Sequence, residues 1–273
     1  MKFQMEYLNL ANKFKFIILF LISLTLVGCS NSSKRIGTND KTLIVGVDDS
    51  FVPMGFQKKS GELTGYDIDL ARLVGKKIHR KMEFQTIDWS MKETELRNKT
   101  IDLIWNGYTK TPERARQVAF TKSYLHNEQV LVVMKSSGIN YYKNLTDKSV
   151  GVQTSSTGYS DLTEHPQILK NRIKKKSAIQ YNNIEDGMVD LKSGRIQGFL
   201  IDRVFAEYYL KHDPNGNELA ILKVPFKSEN FAVGLRKSDK KDLKKINKAL
   251  DELAADGTLN RLNHKWFNEN IGR

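Results

Sequence analysis

Arg114 is the residue whose chemistry is easiest to name. Its guanidinium is planar, always charged and offers five donors in a fork that matches a carboxylate. It ends the stretch Ile101-Asp-Leu-Ile-Trp-Asn-Gly-Tyr-Thr-Lys-Thr-Pro-Glu-Arg114. A short apolar run there stops at Asn106-Gly107, a loop with hydroxyls at Tyr108, Thr109 and Thr111 follows, and Pro112 suits the first turn of a helix. A buried strand would so deliver its C-terminal end into a loop rich in donors. The same residues also describe a plain strand, a turn and a surface arginine, and the rest of the chain must decide between the two.

Three other polar residues stand where apolar runs end: Asp48 after Thr42–Val47, Gln153 after Ser149–Val152 and Asp202 after Ile196–Ile201. Continuous apolar runs of this length suit strands buried on both faces. Helical stripes separate them. Ile68, Ala71, Val74 and Ile78 form one behind Asp67, which is placed as a helix N-cap. Further strands are expected at about 82–87 and 131–134, and a helix with Ile184, Met188 and Leu191 on one face ends at Gly194. Leu243, Ile246, Leu250 and Leu253 form a last long stripe, stopped at Asp256-Gly257, after which Thr258 would cap a final helix. Strand and helix alternate throughout, which argues for an α/β fold with largely parallel sheets.

One unit is used twice. Glu95-Leu-Arg-Asn-Lys-Thr-Ile-Asp-Leu-Ile-Trp-Asn-Gly parallels Asp190-Leu-Lys-Ser-Gly-Arg-Ile-Gln-Gly-Phe-Leu-Ile-Asp, each a helix end, a polar turn and a strand opening with Ile. Two lobes of similar build follow. Ligands of open parallel sheets lie beyond the C-terminal strand ends. If the lobes face each other, Asp48, Asn106-Gly107, Gln153 and Asp202 would line one cleft.

Composition sets the surroundings. The chain has 273 residues, 40% hydrophobic and 10% aromatic, and a formal net charge of +13. That is globular and basic, long enough for one or two domains with real cores. At the N-terminus, Lys13 and Lys15 precede Phe16–Val27, an apolar run shorter than the roughly 20 residues a membrane span needs but of signal-peptide length. It ends in Leu26-Val27-Gly28-Cys29, which resembles the bacterial lipoprotein box, where the Cys becomes the lipid-bearing N-terminus. The expected division is a signal peptide over 1–28 and a polar, flexible tether over 29–41. Of the +13, residues 1–28 carry a net +2 (Lys2, Lys13 and Lys15 against Glu6), leaving +11 on the exported part. A basic surface outside the cytoplasm suits anionic lipid or wall polymer better than nucleic acid. Cys29 is the only cysteine, so disulfides and Cys-based metal or nucleophile chemistry are excluded from the rest.

Taken in order, Val47-Asp48…Phe51-Val-Pro53, Leu63-Thr-Gly-Tyr-Asp-Ile-Asp-Leu-Ala71, Thr109-Lys-Thr-Pro-Glu-Arg114, Val150-Gly-Val-Gln153…Thr157-Gly158, Phe199-Leu-Ile-Asp202 and Asp256-Gly-Thr…Lys265-Trp-Phe267 resemble the polar amino acid-binding lipoproteins of ABC importers. These are solute-binding proteins of family 3, with the type II periplasmic-binding-protein fold. The resemblance covers about residues 42–268. It implies a two-lobed α/β fold joined by two crossover strands, near 124–129 and 225–230. Lobe 1 would be discontinuous, 42–126 and 229–273, with lobe 2 over 127–228.

By the same resemblance, Arg114 takes a ligand α-carboxylate bidentately, helped by the Thr109 hydroxyl and by backbone donors around Gly107 and Thr157. Asp202 takes the α-ammonium from the other lobe, unless it pairs with its neighbour Arg203. Phe51 and Trp89 flank the side chain, Asp48 meets its polar end, and Gln153 stands where some relatives carry Lys. Asn106 replaces a small residue and either adds a ligand contact or serves the loop. The implied partners are a free polar L-amino acid (glutamine, arginine, lysine or cystine), an ABC permease with its ATPase, and the membrane through the lipid anchor. A monomer without cofactor or metal is expected, on the outer face of the cell membrane.

Two rival functions use the same fold. One is a cyclohexadienyl dehydratase-like enzyme acting on prephenate or arogenate, the other a surface adhesin or sensor. Catalysis needs a positioned acid or base. The histidines at 79, 126, 165, 212 and 264 match no metal or triad spacing, and no phosphate-cradling glycine loop appears. A binding protein is the reading these residues favour.

Overall fold

The structure is a computed structural model that describes residues 41–267. The expected signal peptide, Cys29 and most of the tether lie outside the described residues. Among the described residues fifteen strands run in chain order: β1 Thr42–Val47, β2 Ser50–Phe51, β3 Gly55–Gln57, β4 Leu63–Thr64, β5 Lys81–Thr86, β6 Leu103–Ile104, β7 Val118–Phe120, β8 Leu125–Asn127, β9 Gln129–Met134, β10 Val150–Gln153, β11 Ile179–Tyr181, β12 Gly198–Asp202, β13 Leu219–Lys223, β14 Glu229–Phe231 and β15 Gly234–Arg236. The helices are α1 Tyr66–Lys77, α2 Lys92–Asn98, α3 Pro112–Ala115, α4 Thr157–Glu164, α5 Ile184–Lys192, α6 Arg203–His212, α7 Lys240–Ala255 and α8 Thr258–Phe267.

Two five-stranded sheets share one plan. The first has the order β5-β1-β6-β15-β7, the second β11-β10-β12-β9-β13. In each, a central strand pairs in parallel with one neighbour on either side: β1 with β5 and β6, β10 with β11 and β12. The fourth strand runs antiparallel to both its neighbours, β15 in the first sheet and β9 in the second. Each of these strands follows a passage of the chain between the sheets. Those passages pair with each other as β8 and β14, with Asn127 opposite Glu229. The order around β1 and around β10 reverses, which puts a switch point at the C-terminal end of each.

The apolar runs form the cores. Val45, Val47, Leu103 and Leu235 are buried in the first sheet beside Ile68, Ala71 and Val74 of α1, and α7 adds Ile246, Leu250 and Leu253. On the second sheet Leu131, Val133, Val150 and Val152 pack with Leu162 of α4. Each such side chain contributes about 1.5–3 kcal/mol relative to exposure. The last helix is also tied to α1 by polar bonds: the Tyr66 hydroxyl donates to Asn263 at 2.8 Å and the Trp266 indole N–H to Asp69 at 3.0 Å. No helix among the described residues is long and apolar enough to cross a membrane.

Three local expectations are corrected. Gly65, not Asp67, caps α1, and Asp67 is fully buried with its side chain turned elsewhere. The strand expected over 101–105 counts only Leu103–Ile104, because the Asp102 carboxylate receives the Ile44 N–H at 3.1 Å where a carbonyl would extend the ladder. Thr258 is the first residue of α8 and donates its N–H to the Asp256 carboxylate at 2.9 Å, so Asp256 supplies the cap.

Candidate functional site

The C-terminal ends of both central strands meet at one pocket, lined by Asp48, Phe51, Trp89, Gly107, Arg114, Gln153, Ser156, Thr157 and Asp202. The side chains nearly fill it, leaving a cavity of about 10 Å³, about enough for one water. Eight of the ten residues expected from the sequence come together here. Asn106 and Thr109 do not line it, and Ser156 was not foreseen.

At one end, Arg114 is fixed before any ligand is considered. Its Nη1 donates to the Thr109 carbonyl at 2.9 Å, and the guanidinium lies 4.7 Å over the Tyr108 ring. The same group reaches the second sheet's loop, with Nη1 to Thr157 Oγ1 and Nη2 to the Ser155 carbonyl, both at 3.3 Å. Thr157 opens α4, whose N-cap Ser156 accepts the Tyr159 N–H at 3.2 Å. A guanidinium beside a helix N-terminus suits an anionic group.

Opposite stands Asp202, at the end of β12. Its Oδ1 accepts from Asn127 Nδ2 at 2.6 Å and from Gln129 Nε2 at 3.0 Å. Burial pushes its carboxyl well above the ordinary value and the negative Glu229 adds to this, while Asn127 and Arg114 pull it down. Arg203 instead faces Glu128 and Glu207, so the pairing of Asp202 with its neighbour is set aside.

The remaining end of the pocket is bridged directly. Asp48 is buried; its Oδ1 accepts from the Ser50 N–H and hydroxyl, and its Oδ2 from Gln153 Nε2 at 2.5 Å. Burial raises its pKa against the lowering by these bonds. Phe51 and Trp89 wall the space, each braced from behind: Phe51 stacks on Phe205 at 6.1 Å, and Trp89 meets Tyr108 edge-on at 5.9 Å.

Two expected roles fail on geometry. The Thr109 hydroxyl donates to Glu229 Oε2 at 2.8 Å, so only its carbonyl serves the site, through Arg114. The Gly107 N–H, expected as a ligand donor, is spent on Asp67 Oδ2 at 2.6 Å. Gly107 holds φ +55°, and a Cβ there would collide with Phe51, so glycine is required for the loop to sit against that ring. Asn106 is fully buried against Gly55, its amide atoms without hydrogen-bond partners, and it makes no wall of the pocket.

Sequence reasoning also missed the supports. Asp67 accepts from the Tyr124 hydroxyl at 2.9 Å as well as from Gly107, and burial pushes its carboxyl up to about 7. Lys92, 1% exposed, donates to the Trp89 carbonyl at 2.9 Å and across to the Ser155 carbonyl at 3.1 Å. Burial, then the neighbouring Arg114 charge, lowers its pKa to about 8. The Ser155 carbonyl so receives two cations from the other sheet.

Two like-ordered sheets, linked by two passages and facing each other across a pocket with one guanidinium and two carboxylates, define a two-lobed cleft binder. The comparisons agree. The chain matches the bacterial extracellular solute-binding proteins, family 3, over residues 43–269, and it belongs to that family. A solved ABC uptake transporter substrate-binding protein from Streptococcus pneumoniae, with bound histidine, is 47% identical with a TM-score of 0.83, covering 85% of this chain and 94% of that one. A polar amino acid ABC uptake transporter substrate-binding protein from Streptococcus thermophilus is 44% identical over 85% and 88%, TM-score 0.56. The arginine-binding extracellular protein ArtP of Bacillus subtilis is 32% identical over 90% of this chain and 94% of its own.

Proposed function

We propose that this chain is the extracytoplasmic binding component of an ABC importer, capturing a free polar L-amino acid and delivering it to the permease and its ATPase. The observation that carries this is the placement of Arg114 and Asp202, from different sheets, on one pocket. A zwitterion supplies the opposite charge to each. Binding both ends favours the arrangement in which the lobes are together, so the ligand draws the cleft shut. The Ser155 carbonyl, reached by Lys92 and Arg114, and the Gln153 to Asp48 bond hold that arrangement.

The distal end narrows the ligand. Asp48 offers carboxylate oxygen, and Gln153, with Nε2 turned to Asp48, offers its amide oxygen. Two acceptors suit a side chain that donates: guanidinium, ammonium, amide or imidazole N–H. Arginine, lysine and glutamine fit, cystine brings its second ammonium, and histidine joins them through the S. pneumoniae relative. An acidic side chain is disfavoured.

We further propose that residues 1–28 are removed, that Cys29 carries lipid on a tether through residue 41, and that lobe 1 comprises 42–126 with 229–273 and lobe 2 127–228. Replacing Cys29 by Ala should release the protein from the membrane fraction into the medium, and continued retention would refute the anchor.

A thermal-shift panel of the twenty amino acids plus cystine tests the function. Stabilisation by one or a few is expected. A folded protein shifted by none contradicts the proposal, and product formed from prephenate would show an enzyme instead.

A further inference from the structure

The ammonium end of the pocket holds more negative charge than a zwitterion requires. Asp202 on β12 is joined by Glu229 on β14 and by Asp161 on α4, and the Arg114 guanidinium acts on all three. Glu229 is 6% exposed; its Oε2 accepts from Thr109, while its Oε1 is buried without a hydrogen-bond partner. Asn127 Nδ2 serves both acids, reaching Asp202 Oδ1 at 2.6 Å and Glu229 Oε2 at 3.4 Å, which bounds the two oxygens to about 6 Å. Carboxylates this close in a buried setting resist ionising together.

We propose that Asp202 at the end of β12 and Glu229 in β14, bridged by Asn127 of β8, share one proton that the ligand ammonium replaces, making Glu229 a positioning residue for the ammonium site. This rests on the assignment of Asp202 to the ammonium. The exchange balances: a ligand –NH3⁺ enters with its protons intact, one carboxyl O–H ionises to solvent, and the negative charge the pair gains is offset by the ammonium, so the net charge of the pair with its ligand group is unchanged. Without Glu229, Asp202 would keep the burial that raises its carboxyl but lose the second negative charge, so it would meet the ammonium more fully ionised. With it, the second carboxylate favours a full positive charge and works against N-acylated or hydroxy analogues. Burial raises the pKa of both groups, and each has Arg114 and Asn127 acting downward. Asp161, raised to about 7 by burial and by the charges of Glu229 and Glu164, is the neighbour whose own titration must be separated from theirs.

Two readouts test this. In ligand-free protein at pH 7, infrared spectroscopy should show a protonated-carboxyl C=O band that weakens in Glu229→Gln and in Asp202→Asn, and persists in Asp161→Asn. Glutamine keeps an acceptor for Thr109, so Glu229→Gln is expected to fold. Calorimetric titration with L-arginine and with L-histidine, in buffers of different ionisation enthalpy, should show release of roughly one proton by wild type. Release should fall in Glu229→Gln and be retained in Asp161→Asn. No release by wild type, or release unchanged in Glu229→Gln, overturns the proposal. If neither amino acid binds, the amino acid reading fails for these two ligands, and the infrared band still decides whether the proton is shared.

Discussion

The two ends of the pocket are built on different principles. At the α-group end, charges of opposite sign come from different sheets and each is braced: Arg114 by the Thr109 carbonyl and Tyr108 ring, Asp202 by Asn127 and Gln129. At the distal end one carboxylate, Asp48, is met across the cleft by a neutral amide between two aromatic walls. In the function proposed here, the first arrangement recognises what every free amino acid carries. The second recognises what distinguishes one from another. Substitutions at the charged end should therefore remove binding, and substitutions at the distal end should re-rank ligands.

The largest effect is expected from Arg114→Ala. Loss of a buried charge-assisted pair amounts to about 2–5 kcal/mol, roughly 30- to several-thousand-fold in affinity, so the amino acid thermal shift should vanish. Arg116→Ala, at an exposed residue paired with Glu113, is the control and should bind as wild type. Asp48→Asn should weaken a cationic ligand by about tenfold or more while changing glutamine less, since a charged hydrogen bond contributes about 1.5–3 kcal/mol against about 1 for a neutral one. Equal losses for both, by calorimetry, would erase the distinction between the two ends.

Smaller effects concern the supports. Lys92→Met removes one of the two cations on the Ser155 carbonyl. It should speed ligand dissociation by several-fold, about 1 kcal/mol, with association little changed in stopped-flow. Asp67 tests the loop by pH. Its carboxyl is raised to about 7 in the fold, against about 3.9 unfolded. The native state therefore holds the extra proton between these values, and stability falls as pH rises from about 4 to about 7. Asp67→Asn should flatten that part of the melting-temperature profile, the other raised carboxyls, Asp48, Asp161, Asp202 and Glu229, supplying what slope remains.

What the sequence revealed depended on range. β1 was legible end to end because an apolar run buried in a sheet carries its own signature, and Arg114 because Pro112 and the hydroxyl loop announce a helix start. The failures share one cause: a local pattern names a residue type's options, and a distant partner selects among them. Thr109 could face ligand or protein, and Glu229, 120 residues away, takes its hydroxyl. Asp67 looked like a cap until Gly107, 40 residues on, claimed its oxygen. Lys92 carried no local signal; its role exists only because Ser155 is brought over it by the other sheet. Of the eight expected residues that line the pocket, Asp48, Gly107, Gln153 and Asp202 follow from strand ends in parallel sheets, and Phe51, Trp89, Arg114 and Thr157 were given their site roles by the family resemblance.

We propose that Arg114 and Asp202 read the two charges of one free amino acid. The direct measurement is calorimetric titration of the amino acid that shifts the protein most, beside its methyl ester and its N-acetyl derivative. The expected result is tight binding of the free amino acid and at least a hundredfold loss for each derivative, one charge removed at a time, about 2.7 kcal/mol or more. Comparable affinity for either derivative would contradict it.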